Sequence, residues 1–214
     1  MNVKTTCKAQ LLSVVVASVL GLQATAAPLT QFQLHSQPDD YIGGGQSYFR
    51  DLTTGQFDIV QANDFDRDGL VDRVFFRYLA DDMGPFEVGT FAHIWFGTES
   101  LPSANLAPGF YPNAERGPFA QSGPPGLDWE MDGRGCNMLA GSFTILGAQF
   151  DYSAGTPKVV SFAATFEQHC EGAAPALFGT FYYNFDPVPE PSTWALWGIC
   201  AAMTALLARR RVAK

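Results

Sequence analysis

Residues 158–169 read KVVSFAATFEQH. Val160, Phe162, Ala164 and Phe166 alternate with Ser161, Ala163 and Thr165, which gives one larger, apolar face and one smaller, more polar face. Successive side chains of a strand point to opposite faces, so this pattern predicts a strand packed on one side only. The same alternation appears in GSFTILGAQFDY at 141–152, where Phe143 and Ile145 oppose Thr144 and Leu146. FDIV at 57–60, DRVFFRYLA at 72–80, TFAHIWFG at 90–97 and LFGTFYYNF at 177–185 are further short β-like runs.

No stretch between residues 30 and 186 sustains a helical period, and 18 phenylalanines are available for a core. The segment after Pro28 reads as a polar lead-in, ending in the three glycines of DDYIGGGQSYF at 39–49. The stretch LPSANLAPGFYPNAERGPFAQSGPPGLDWEMDGRGCN at 101–137, dense in Gly and Pro, reads as a long irregular connection. The expectation is an all-β domain over residues 27–186, a single antiparallel β-sandwich of jelly-roll character.

Both ends differ from this body. Residues 1–26 carry Lys4 and Lys8, then an apolar run from Leu11 to Leu22, then Ala24-Thr25-Ala26. That order is the signature of a secretory signal helix, cut by signal peptidase before Ala27. Residues 187–214 hold an uncharged, mostly apolar run from Thr193 to Ala208 followed by Arg209, Arg210 and Arg211. Such a run predicts a C-terminal transmembrane helix with its arginines on the cytoplasmic side.

Setting the ends aside sharpens the charge. The whole chain is −8, whereas 27–186 holds roughly 20 acidic against 7 basic residues, near −13. That surface excludes nucleic acid as a partner, because no basic patch can displace counterions from phosphate. It suits divalent cations. Of four cysteines only Cys136 and Cys170 lie in the body, and an even pair in an exported chain reads as one disulfide.

Val188-Pro189-Glu190-Pro191, the apolar run and the arginine cluster together resemble the PEP-CTERM sorting tail of Gram-negative bacteria. The resemblance implies that Pro189, Glu190 and Pro191 are recognised by an exosortase, a membrane-embedded cysteine protease-transpeptidase. It further implies transient anchoring in the inner membrane, then release to the cell surface or extracellular matrix, often beside exopolysaccharide.

Within the body, NDFDRDGLVD at 63–72 places Asp64, Asp66, Asp68 and Asp72 around Gly69. Carboxylates at alternate positions of a tight loop converge, and the Leu70 carbonyl and water could complete the six to eight oxygens that calcium takes. The distal glutamate of an EF-hand is missing; the pattern is similar to the short calcium loops of integrin-type β-propeller repeats. A solvated acidic hairpin is the alternative.

His169 and Glu171 flank Cys170, but neighbours on a strand face opposite ways, which argues against thiol catalysis or a zinc site and for the disulfide. DYIGGG, LAPGFYPNAERGPF, PGLDWEMDGRGCN and FEQHCEGAAPALFGTFYYN resemble an uncharacterised module of exported bacterial proteins, to which no activity is attached.

These features point to a non-enzymatic surface or matrix protein, in association with exopolysaccharide. Two alternatives stand beside it. One is a carbohydrate-binding module, with Trp129, read as lying in a polar loop, as the candidate ligand-binding residue. The other is a secreted polysaccharide hydrolase using Asp128 and Glu130.

Overall fold

The computed structural model describes residues 27–81, 91–101, 105–117 and 123–187. Among them ten strands form: β1 (Leu29–Ser36), β2 (Ser47–Asp51), β3 (Gly55–Asn63), β4 (Arg73–Ala80), β5 (Phe91–Gly97), β6 (Gly109–Arg116), β7 (Gly126–Met131), β8 (Leu139–Asp151), β9 (Lys158–Cys170) and β10 (Ala176–Phe185). All six β-like runs fall on strands. The expected signal helix, the terminal transmembrane helix and Pro189, Glu190 and Pro191 lie outside the described residues.

The strands form one sheet, ordered β2-β1-β10-β9-β8-β6-β7-β5-β4-β3. All neighbours are antiparallel except β6 and β7, which run parallel. The all-β expectation holds; the two-layer antiparallel sandwich gives way to a single mixed sheet curled nearly into a barrel. Bulges supply the curl, since an extra residue on one strand bends it and increases its twist. Leu146 is skipped between the pairs Ile145–Ala164 and Gly147–Ala163, and Val160 between Val159–Phe150 and Ser161–Gln149. Asp58 is skipped in the same way opposite β4.

The bulges also re-aim side chains. Val160 falls on the apolar face by simple alternation, yet it is 40% exposed, and Leu146 is 46% exposed. Beyond the bulge, Phe162, Ala164 and Phe166 point inward as expected. The edges of the sheet meet at the Leu52–Thr54 turn between β2 and β3. There Thr54 N–H donates to Asp51 O (3.2 Å), Asp81 N–H donates to Thr54 O (3.1 Å), and the Thr54 and Tyr78 hydroxyls lie 2.9 Å apart.

Rings from opposite walls fill the interior. Phe32 of β1 meets Tyr78 of β4 and Trp129 of β7 edge-on, each with centroids 5.2 Å apart, and Phe76 of β4 lies 4.6 Å from Phe181 of β10. Each fully buried large apolar side chain contributes about 1.5–3 kcal/mol, and an aromatic pair about 0.5–1.5 kcal/mol more.

Four strands lie where the sequence reads as irregular: β1, β2, β6 and β7. β1 has only two large apolar residues facing in, Phe32 and Leu34, so its alternation is faint. β6 contains Pro112, which is placed at a bulge between Tyr111 and Ala114 with Asn113 at φ 55°. Proline lacks the ladder N–H and is tolerated there. β7 alternates Leu127, Trp129 and Met131 inward against Asp128 and Glu130 outward.

Candidate metal centre

The β3–β4 connection is the acidic loop. Asp72 N–H donates to Asn63 O (2.8 Å), closing the hairpin just before β4 begins. Inside it, each aspartate turns the chain by accepting a nearby backbone N–H. Asp66 Oδ1 takes Asp68 N–H (3.0 Å), Asp68 Oδ1 takes Leu70 N–H (2.8 Å), and Asp64 Oδ2 takes Gly69 N–H (3.0 Å). Asp72 reaches back across the loop and accepts from Phe65 N–H at 2.6 Å. Gly69 adopts φ 92°, a conformation open to glycine and strained for other residues.

This folding brings Asp64, Asp66 and Asp72 together: one carboxylate oxygen from each lies within 4.8 Å of the others. Asp68 stands outside that group of three. Its carboxylate, like the Leu70 N–H it holds, shapes the turn.

Two features test whether a cation fits. Asp64 Oδ1 is buried and accepts no hydrogen bond. Asp72 is buried, and its carboxyl is pushed above the usual range, first by desolvation and further by the charges of Asp66 and Asp64. The Arg73 guanidinium beside the loop is engaged with other groups. Arg73 is paired with Glu99 at 3.2 Å and lies 4.0 Å over the Phe65 ring and 4.3 Å over Trp95. Three converging carboxylates with an orphaned oxygen are a donor set that a metal ion would satisfy.

The other sequence candidates sit elsewhere. Cys136 and Cys170 form a disulfide, with Cα atoms 4.9 Å apart. His169 Nε2 lies 2.9 Å from Glu167, and Glu171 Oε1 accepts the backbone N–H groups of Asn137 (2.5 Å) and Met138 (3.2 Å). Glu171 therefore clamps the loop that carries Cys136, and the cysteine pair is covalently occupied. Comparison with known proteins found no match in any protein family, among curated proteins or among solved structures.

Trp129 differs most from its expected place. It lies on β7, not in a loop, and is 0% exposed, stacked on Phe166 with centroids 4.9 Å apart and planes at 18°. Its faces are core, so no sugar can stack on it in the folded state. The β7 alternation of Leu127, Trp129 and Met131 is the signal that points inward, obscured by the surrounding Gly and Pro. Asp128 and Glu130 share the outer face, each beside a nitrogen-bearing side chain of a neighbouring strand. Asp128 lies 3.3 Å from Arg116, and Glu130 lies 3.5 Å from His93. Burial pushes the Asp128 carboxyl up, against the pull of Arg116.

Proposed function

We propose that the protein is an exported, non-enzymatic constituent of the cell surface or extracellular matrix of a Gram-negative bacterium, associated with exopolysaccharide. In this reading signal peptidase removes residues 1–26, and an exosortase acts on the tail at Pro189, Glu190 and Pro191. The Cys136–Cys170 disulfide is the observation that carries it, because such bonds persist outside the reducing cytoplasm. The sorting tail and the acidic body agree with the same destination.

We further assign calcium to the loop of Asp64, Asp66 and Asp72. Hard oxygen donors without nitrogen or sulfur favour this ion over zinc or copper, and extracellular loops of this kind work at abundant free calcium. The ion's role is structural: it would pin the β3–β4 hairpin beside the Arg73–Glu99 pair.

Localisation tests the proposal. In the producing cell the chain should be recovered outside the cytoplasm, with its cysteines unreactive to maleimide until reduced. In a strain lacking the exosortase it should remain in the membrane fraction. Recovery from the cytosol with free thiols would overturn the proposal.

A further inference from the structure

On the outer face of the sheet, β2, β1, β10, β9 and β8 form a shallow open groove of about 720 Å³. The strand register lays its lining out in two adjacent rows. One row runs Phe49, Gln33, Thr180, Thr165, Thr144 from β2 to β8. The other runs Ser47, His35, Phe178, Glu167, Ser142 over the same strands. The first row continues onto β6 at Phe110, the cross-strand partner of Thr144. A line of hydroxyl and amide groups thus ends in a phenylalanine on each side, and both rings face solvent: Phe49 is 46% exposed and Phe110 64%. Adjacent strands lie ~4.8 Å apart, so the row from β2 to β6 extends about 24 Å along the sheet.

We propose that this groove binds a neutral glycan chain; the proposal rests on the reading of the protein as one associated with exopolysaccharide. Among the described residues the side chains of Gln33, Ser142, Thr144, Thr165 and Thr180 make no hydrogen bond with the protein, so they are available to a ligand rich in hydroxyls. Hydroxyls and amides both donate and accept, as sugar hydroxyls do. The terminal Phe49 and Phe110 rings, with Phe178 between them, offer apolar faces for the C–H faces of sugar rings. Among the described residues no lysine or arginine lines the groove, and the one carboxylate among them, Glu167, opposes uronate or phosphate groups. An apolar peptide or lipid would leave the hydroxyl row unpaired, which the burial of polar groups disfavours.

The test is affinity electrophoresis of the full, unreduced chain through gels containing one polymer each: hydroxyethylcellulose, a soluble β-1,3-glucan, galactomannan, or alginate as the polyuronate control. At least one neutral polymer should retard the chain, and alginate should not. Phe49→Ala with Phe110→Ala, both at exposed positions, should weaken retardation at least tenfold with the melting temperature kept. Thr165→Arg should do the same, and Thr165→Ser should bind as the parent does. If Thr165→Arg fails to fold, the two phenylalanine substitutions decide alone. Retardation that survives the phenylalanine substitutions would overturn the groove while leaving glycan association standing. Retardation by no neutral polymer, or by alginate alone, would overturn the groove, whereas export is judged separately by localisation.

Discussion

The side-chain amide of Gln168 makes the hydrogen bonds of a missing strand for Trp129. Its Oε1 accepts the Trp129 N–H at 2.9 Å, and its Nε2 donates to the Trp129 carbonyl at 2.9 Å. The parallel β6–β7 pairing runs out at Arg116 and Leu127, so the middle of β7 has no ladder partner on that side. Gln168 reaches in from β9, fully buried, and replaces it. The core tryptophan, the disulfide strand and the short parallel pair are thereby joined through one amide.

Replacing Gln168 with leucine should therefore strand two buried backbone groups. The expected loss is about 2–5 kcal/mol, or roughly 5–15 °C in melting temperature. Gln168→Glu keeps the acceptor and loses the donor, and it buries a carboxylate whose pKa must rise in the folded state. Its deficit should be large at pH 7 and shrink toward pH 5, which thermal melts at the two values would show.

Gly179 lies opposite Phe166 across β9 and β10, and a Cβ there would sit 2.1 Å from the Phe166 ring and 2.9 Å from Leu34. Gly179→Ala should cost about 1–3 kcal/mol by overpacking. Because Phe166 stacks on Trp129, tryptophan fluorescence should change with it. Adding Phe166→Leu should recover part of the loss, giving a coupling that a double-mutant cycle measures.

The disulfide closes a span of 34 residues. Its removal by Cys136→Ser with Cys170→Ser should cost about 2–4 kcal/mol, read from denaturant midpoints. Glu171→Ala, which frees the Asn137 and Met138 N–H groups, should cost less and leave the disulfide intact by mass.

Calcium at a hundredfold excess over its Kd should stabilise the folded chain by ~2.7 kcal/mol, raising the melting point by roughly 5–10 °C over a chelator control. Asp66→Asn retains an oxygen for the Asp68 N–H but removes a charge, so it should abolish this shift while changing the chelated melting point little. Equal melting points with and without calcium in the parent chain would refute the calcium assignment.

The carboxyls of Asp72, Glu99 and Asp128 all rise on folding, chiefly through burial. A raised carboxyl holds its proton in the folded state at a pH where the unfolded chain has released it. Its contribution to stability is therefore complete below the unfolded value and is lost as pH rises through the folded one. Asp51, Asp58 and Asp151 shift downward and act in the opposite sense, below the usual carboxylate pKa. In chelator the melting point should therefore rise as pH falls from 7 toward 5. In calcium the gain from the ion should shrink over the same range, because protons compete for Asp72.

Period-two alternation was enough to place β4, β5, β8, β9 and β10, because each alternates several large apolar residues. It failed where the local signal was diluted. Pro112 makes β6 look broken, whereas the chain spends that proline on a bulge. The Gly and Pro surroundings of β7 hid the inward alternation of Leu127, Trp129 and Met131, and so sent Trp129 to the surface in the reading of sequence. Closure of one sheet rather than two layers depends on bulges at Asp58, Leu146 and Val160, which leave no mark on composition. The acidic loop was legible as a cluster because its ligands are local, but the exclusion of Asp68 needed the actual path of the turn. The groove rows are formed by residues far apart in the chain and are visible only once the register is known.

Export and processing are tested together by the intact mass of the protein recovered from the outside of the producing cell. The recovered chain should begin at Ala27, end near the Pro189-Glu190-Pro191 tripeptide, and gain two hydrogens on reduction. A mass equal to all 214 residues, with both body cysteines already free, would contradict both.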